Sequence, residues 1–228
     1  PRHEVPGARL LPFTHRRKRP HIYTRLEFSR LMAEAERLPS TNGMRGQTYA
    51  TLLGLLWVSG MRISEALKLN REDVDLDNAV LFVHKAKLGK SRLLPIHPTT
   101  AKALRKYALR RDTAFPKAQT TAFFLTGYGK RPGRAMAEIT FAGLSRKTGL
   151  RAITDRIGPR LHDFRHTFAV NALISLYRKK MDVDWHLYPL ATYLGHVGPS
   201  SLYWYLSAIP ELMELARKRL EDKLGDLP

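Results

Sequence analysis

The 228-residue chain carries 39 Lys and Arg against 20 Asp and Glu, a formal net charge of +19, and a balance this basic selects polyanions, nucleic acid first, as partners. It has no cysteine, which excludes disulfides, thiolate-held zinc, iron–sulfur clusters and a cysteine nucleophile. A hydrophobic content of 43% separates it from disordered polycations, and no apolar run is long enough to cross a bilayer.

Residues 1–22 combine proline with the basic run Arg16, Arg17, Lys18 and Arg19 and show no hydrophobic period. They read as a linker or arm, either a solvated tail or a segment lying along phosphates. From residue 23 onward the pattern is that of one domain. Thr24 and Glu27 have capping-box spacing, and Leu26, Phe28, Leu31, Met32 and Ala35 form a helical stripe ending before Pro39. A second helix is expected over 47–59, burying Tyr49, Leu52, Leu53 and Leu56 and stopping at Gly60. A third opens near Arg62 and closes before Asn70. Asp73, Asp75 and Asp77 lack the glycine and terminal glutamate of a calcium loop, so a solvated turn is expected there. From Ala79 the residues become β-branched and aromatic, and a lysine-rich turn near 88–89 leads into Arg92, Leu93 and Leu94, an antiparallel hairpin. A basic helix follows from Pro98 to about Arg111, then a short strand at 123–125 and helices near 136–148, 161–178, 184–194, 200–207 and 211–224. The fold class expected is mainly α (α+β), a helical domain with one small antiparallel sheet.

Four places strain ordinary helix logic. Arg62 stands in a first helical turn, where the dipole favours anions, unless it and the free N–H groups hold one jointly. Glu65, three residues on, lies on the same face and can fix that guanidinium or a neighbouring histidine. The hairpin concentrates His84, Lys85, Lys87, Lys90 and Arg92 into a basic finger. In Leu161-His162-Asp163-Phe164-Arg165-His166-Thr167-Phe168, one face presents His162, Arg165 and His166 and another buries Leu161, Phe164 and Phe168. A metal pair on His162 and His166 is disfavoured, since no glutamate follows the first histidine and an arginine would repel the ion. Lastly, Leu194-Gly195-His196 ends a helix, and Tyr205 follows nine residues later.

In this order the boxes resemble the catalytic domain of the tyrosine recombinases, the lambda-integrase superfamily. The resemblance covers about residues 20 to 210 and rests on Gly60-Met61-Arg62-Ile63-Ser64-Glu65, the hairpin lysine, His162 with Arg165, Leu194-Gly195-His196, and Tyr205. It selects Lys87, three residues before Lys90-Ser91-Arg92, with Lys85 as the competitor on the same strand face. The segment 177–185 is longer than the family's usual interval. The chain opens at Pro1 without a methionine, as expected if an upstream segment was removed, and the family's amino-terminal core-binding domain has no counterpart in it.

The resemblance implies a double-stranded DNA substrate and chemistry without metal, ATP or other cofactor. Arg62 and Arg165 would neutralise the phosphoryl oxygens with donors that stay charged, helped by His162 and His196. Tyr205 would be the nucleophile, His162 a candidate general base, Lys87 the acid for the leaving 5′-oxygen, and Glu65 a support for Arg62 or a histidine. Lys85, Lys90, Arg92 and Arg16 to Arg19 would contact the DNA backbone. Homo-oligomers on DNA are expected, through a helix over 211–224 with Met213, Ala216, Leu220 and Leu224 on one side that packs on a neighbour or on its own core. A cytoplasmic location follows. The alternatives are a type IB topoisomerase-like nicking and closing enzyme, and a DNA-binding module without catalysis.

Overall fold

Thr24 opens the first helix as its spacing with Glu27 requires. The computed structural model describes residues 19–84, 91–196 and 198–225. The Thr24 hydroxyl accepts the Glu27 N–H at 3.2 Å, and the Glu27 carboxylate accepts the Thr24 N–H at 2.7 Å, starting α1 (Arg25–Glu36). Leu26 departs from the expected stripe and is 60% exposed, because at 100° per residue it lies about 180° from Ala35. Helix α2 (Met44–Ser59) buries Tyr49, Leu52, Leu53 and Leu56. It stops at Gly60, whose φ is 60° and whose added Cβ would lie 2.7 Å from the Phe168 ring, so both the turn and the close approach require glycine. Helix α3 (Ile63–Lys68) follows, with Arg62 at its N-cap.

The sheet has the order β1 (Val74–Asp75), β2 (Val80–Val83), β3 (Arg92–Pro95), all antiparallel. Val80 pairs with Pro95 and Val83 with Arg92, which fixes the hairpin; its tip, 85–90, lies outside the described residues. Asp77 sits in the exposed turn expected of it and Asp75 is exposed at the end of β1, but Asp73 is not solvated. Its carboxylate is buried, meeting His84 Nε2 at 2.5 Å and accepting the Asn70 N–H at 2.8 Å. The strand expected at 123–125 is absent as well. Those residues are buried, but pairing stops after one antiparallel bridge of Ala122 with Asn70 and the Phe123 N–H to the Leu69 carbonyl at 2.9 Å, because the Leu125 N–H goes to the Tyr107 hydroxyl and its carbonyl to Thr48.

Helices α4 (Pro98–Ala114), α5 (Arg134–Lys147), α6 (Asp163–Arg178), α7 (Val183–Leu194), α8 (Ser200–Ala208) and α9 (Pro210–Leu224) complete the chain. The longer 177–185 segment is a turn through Lys180, at φ 54°, into the Asp182 cap of α7. Two apolar clusters form. One joins α1 to α5 and the sheet around Phe164, against which Tyr23 stacks at 4.5 Å and Phe141 lies edge-on at 5.7 Å. The other joins the rest of α6 to α7, α8 and α9 through Leu173, Leu187, Leu202 and Leu212. Helix α6 belongs to both, so its first turn stands where the two clusters meet. Helix α9 lies against α6 with Leu212 buried, while Met213 and Leu220 are 54% and 58% exposed; the side expected to dock is the outer one. No helix among the described residues is long and apolar enough to cross a membrane.

Candidate active site

Glu65 organises one wall of the site. Its carboxylate, 7% exposed, accepts Arg62 Nη1 at 2.7 Å and the Arg62 N–H at 3.0 Å. Both terminal nitrogens of Arg92 reach it too, at 3.2 and 3.0 Å. Burial pushes this carboxyl up, but the hydrogen bonds from Arg92 and from the Arg62 backbone outweigh it and hold it below the ordinary value. Arg92, expected on the DNA-facing side, is therefore turned inward: Nε donates to the Tyr193 carbonyl at 2.9 Å and the side chain is 10% exposed. A hairpin arginine looks the same in sequence whether it points outward or folds back onto a carboxylate. The space it occupies depends on Gly195, φ 69°, whose Cβ would lie 2.7 Å from Arg92 Nη1. Arg62 Nη2 also donates to the Gly195 carbonyl at 3.3 Å.

Arg165 forms the floor at 2% exposure. It donates through Nη1 to the Gly60 carbonyl at 3.0 Å and through Nη2 to the Leu194 carbonyl at 2.5 Å and to His196 Nε2 at 3.0 Å. Burial, then the Arg62 charge, lower its pKa. An arginine keeps its proton in such surroundings, so the shift expresses the electrostatic cost of gathering guanidiniums, which a bound anion would relieve. Burial and the Arg165 charge likewise lower the pKa of His162, at the N-cap of α6. Two guanidiniums thus hold one carboxylate, with the charge of Arg165 close enough to feel all three, and beside Arg62 opens a cleft of about 550 Å³ whose charged lining is Arg134, Glu138, Arg151, Arg160 and His162. This arrangement suits an oxyanion with planar, fixed donors.

Tyr205 comes to this region from α8. Its hydroxyl meets His166 Nδ1 at 2.5 Å and the residue is 4% exposed, its ring 5.2 Å from that of Trp204. The His166 and His162 rings lie edge to face at 4.8 Å. Of the other tyrosines nearby, Tyr203 is 50% and Tyr188 67% exposed. Tyr193 stacks on Phe168 at 5.6 Å. The sequence thus placed Arg62, Glu65, His162, Arg165, His196 and Tyr205 in one region but missed His166 as the partner of Tyr205. The signal available was its helical spacing from His162, which identifies a shared face and not what arrives there from α8. Lys85, Lys87, Lys90, Arg16, Arg17 and Lys18 lie outside the described residues; Arg19 is exposed. No group of three or more His, Asp or Glu side chains gathers as metal ligands among the described residues.

Residues 23–211 match the model of the phage integrase family. Over 230 residues the chain is 43% identical to the putative integrase/recombinase y4rB of Sinorhizobium fredii (strain NBRC 101917 / NGR234), covering 99% of this chain and 73% of that protein. It is 31% identical over 172 residues to the tyrosine recombinase XerD of Caulobacter vibrioides, covering 75% of this chain and 55% of that one. Among solved structures, the crystal structure of XerA recombinase superposes with a TM-score of 0.63 at 23% identity, over 88% of this chain and 66% of that one. The site-specific recombinase XerH, bound to a palindromic difH substrate in a post-cleavage complex, gives 0.64 at 21% identity, over 90% and 54%.

Proposed function

From a chain that belongs to the phage integrase family, the tyrosine recombinases, we infer site-specific DNA recombination by strand cleavage and rejoining, with Tyr205 as the nucleophile. The observation that carries this reading is that Arg62 bonds to the Gly195 carbonyl and Arg165 to the adjoining His196, while the Tyr205 hydroxyl meets His166, the residue after Arg165. The scissile phosphate binds between the two guanidiniums, with His162 and His196 as further donors to its oxygens. Glu65 holds Arg62 and Arg92 in place. Attack by Tyr205 yields a 3′-phosphotyrosine, and Lys87 protonates the leaving 5′-oxygen. Because the phosphodiester energy is retained in that bond, a second 5′-hydroxyl rejoins the strand without ATP or metal. Arg16 to Arg19, Lys85 and Lys90 track the DNA backbone, residues 1–22 acting as an arm. Dimers or tetramers assemble on the duplex, and the exposed Met213 and Leu220 side of α9 is a surface for the neighbouring protomer. The reaction takes place in the cytoplasm.

The test is a pool of nicked suicide duplexes, in which loss of a short fragment after cleavage traps the protein on DNA. The expected product is a DNA strand joined through its 3′-phosphate to Tyr205; linkage through a 5′-end, or to another residue, overturns the reading. Binding is expected to be steeply salt-dependent. Six to ten phosphate contacts cost ~10³–10⁵ in affinity between ~50 and ~200 mM salt, so a flat titration contradicts phosphate binding by this +19 chain. Lys87→Ala is expected to spare DNA affinity while slowing cleavage by ~10²-fold or more. A 5′-bridging phosphorothiolate, whose sulfur leaves without a proton, should restore most of the rate; failure to do so transfers the acid role to Lys85.

A further inference from the structure

We propose that His166, and not His162, is the general base that removes the phenolic proton of Tyr205. This rests on the recombinase reading and deepens it. The two histidines are one turn apart on α6, with their rings edge to face, yet their surroundings differ. His166 Nδ1 lies 2.5 Å from the Tyr205 hydroxyl, within hydrogen-bond reach of the proton to be transferred, which is the first requirement of a general base. Tyr205 is buried against Trp204, so bulk water is poorly placed to take that proton. His162 stands instead among the charges of Arg165, Arg160 and Arg62, which together with burial disfavour its protonated form. A histidine in that position serves better as a neutral donor to a phosphoryl oxygen than as a proton acceptor. Thus α6 delivers one histidine to the phosphate and, a turn later, another to the nucleophile.

The step balances as follows. His166 begins as the Nε2–H tautomer, with Nδ1 accepting the Tyr205 hydroxyl. The proton passes to Nδ1 as the phenolic oxygen forms its bond to phosphorus; the bond from phosphorus to the 5′-oxygen breaks, and the hairpin lysine protonates that oxygen. Rejoining runs the sequence backward, and His166 returns the proton to the departing Tyr205. Among the groups against His166 are His162 on α6 and Tyr205 and Trp204 on α8; Arg165, its neighbour in the chain, is held to His196 after α7.

Single-turnover adduct formation on a saturating nicked suicide duplex, followed from about pH 5.5 to 9.5, tests the assignment by comparing wild type, His166→Asn and His162→Asn. Asparagine offers a polar atom near the position of Nδ1, and so holds the hydroxyl, but takes no proton. In wild type the rate should climb with pH through an acid limb as the base loses its proton. His166→Asn should lose ~10²-fold at neutral pH with unchanged DNA affinity. It should lack the limb and recover toward wild type at the alkaline end of the range, where solvent base replaces the missing imidazole. His162→Asn should be slower but keep the limb. A limb retained in His166→Asn, or removed only in His162→Asn, overturns the base assignment. His166→Ala with added imidazole guards against a purely structural loss: rescue supports the base, whereas full activity without imidazole or inertness with it counts against it. Absence of any wild-type adduct overturns the recombinase reading and this proposal together; a wild-type adduct with an unchanged profile in His166→Asn overturns the base alone.

Discussion

Tyr205→Phe is expected to abolish the protease-resistant DNA–protein adduct completely while leaving DNA affinity unchanged. The substitution removes one oxygen and keeps the ring that packs beside Trp204. The hydrogen bond to His166 that it removes is worth about 0.5–1.5 kcal/mol, too little to unfold a domain of this size. The matched control is Tyr203→Phe, two residues away on α8 and 50% exposed. It should retain the adduct at wild-type yield, since positions two apart on a helix point about 200° from each other. Gel analysis of the trapped complex after protease digestion reads both. An adduct in Tyr205→Phe, or its loss in Tyr203→Phe, removes Tyr205 from the nucleophile's role.

The second large effect is expected from Glu65→Gln. This change keeps the shape of the side chain but leaves Arg62 and Arg92 around a neutral amide, one end of which turns N–H groups toward guanidinium donors. Removing one partner of a buried charge cluster costs about 3 kcal/mol or more, measurable by denaturant unfolding at pH 7. Adduct formation should fall ~10²-fold as Arg62 loses its fixed orientation. The pH dependence has a definite sign. The folded-state pKa of Glu65 lies below its ordinary 4.5, so its contribution is fully present above pH 4.5 and is withdrawn as the pH falls through the lower folded-state value. The stability gap between wild type and Glu65→Gln should therefore narrow on acidification below pH 4.5. A gap that is unchanged there means that the carboxylate charge is not what stabilises the cluster.

Much of this protein follows from regularities within short stretches of chain. The Thr24–Glu27 cap, the apolar period of α2 and its stop at Gly60, and the alternation of Val80 to Val83 each involve residues a few positions apart. Neighbours that close meet in almost any fold, so their spacing alone is informative. The order Arg62, His162, Arg165, His196, Tyr205 was likewise readable, because each box has its own local pattern and their succession identifies a chemistry. The +19 charge identified the class of partner.

What depended on tertiary packing was which face each of these residues turned, and toward what. Arg92 was legible as a basic hairpin residue, but only the arrival of Glu65 from α3, 27 positions away, turned it inward. Asp73 looked like part of a solvated turn until β2 brought His84 against it. Helix α9 chose Leu212 over Met213 as its inner side, since a helical stripe gives a period without naming the surface it meets. His166 shows the division most sharply. Its place on the polar face of α6 is a matter of 3.6 residues per turn. That the same nitrogen receives the Tyr205 hydroxyl, 39 positions later, depends on how α7 and α8 fold back over α6. Contacts across such distances are set by the packing of the whole second cluster, and no local pattern encodes them.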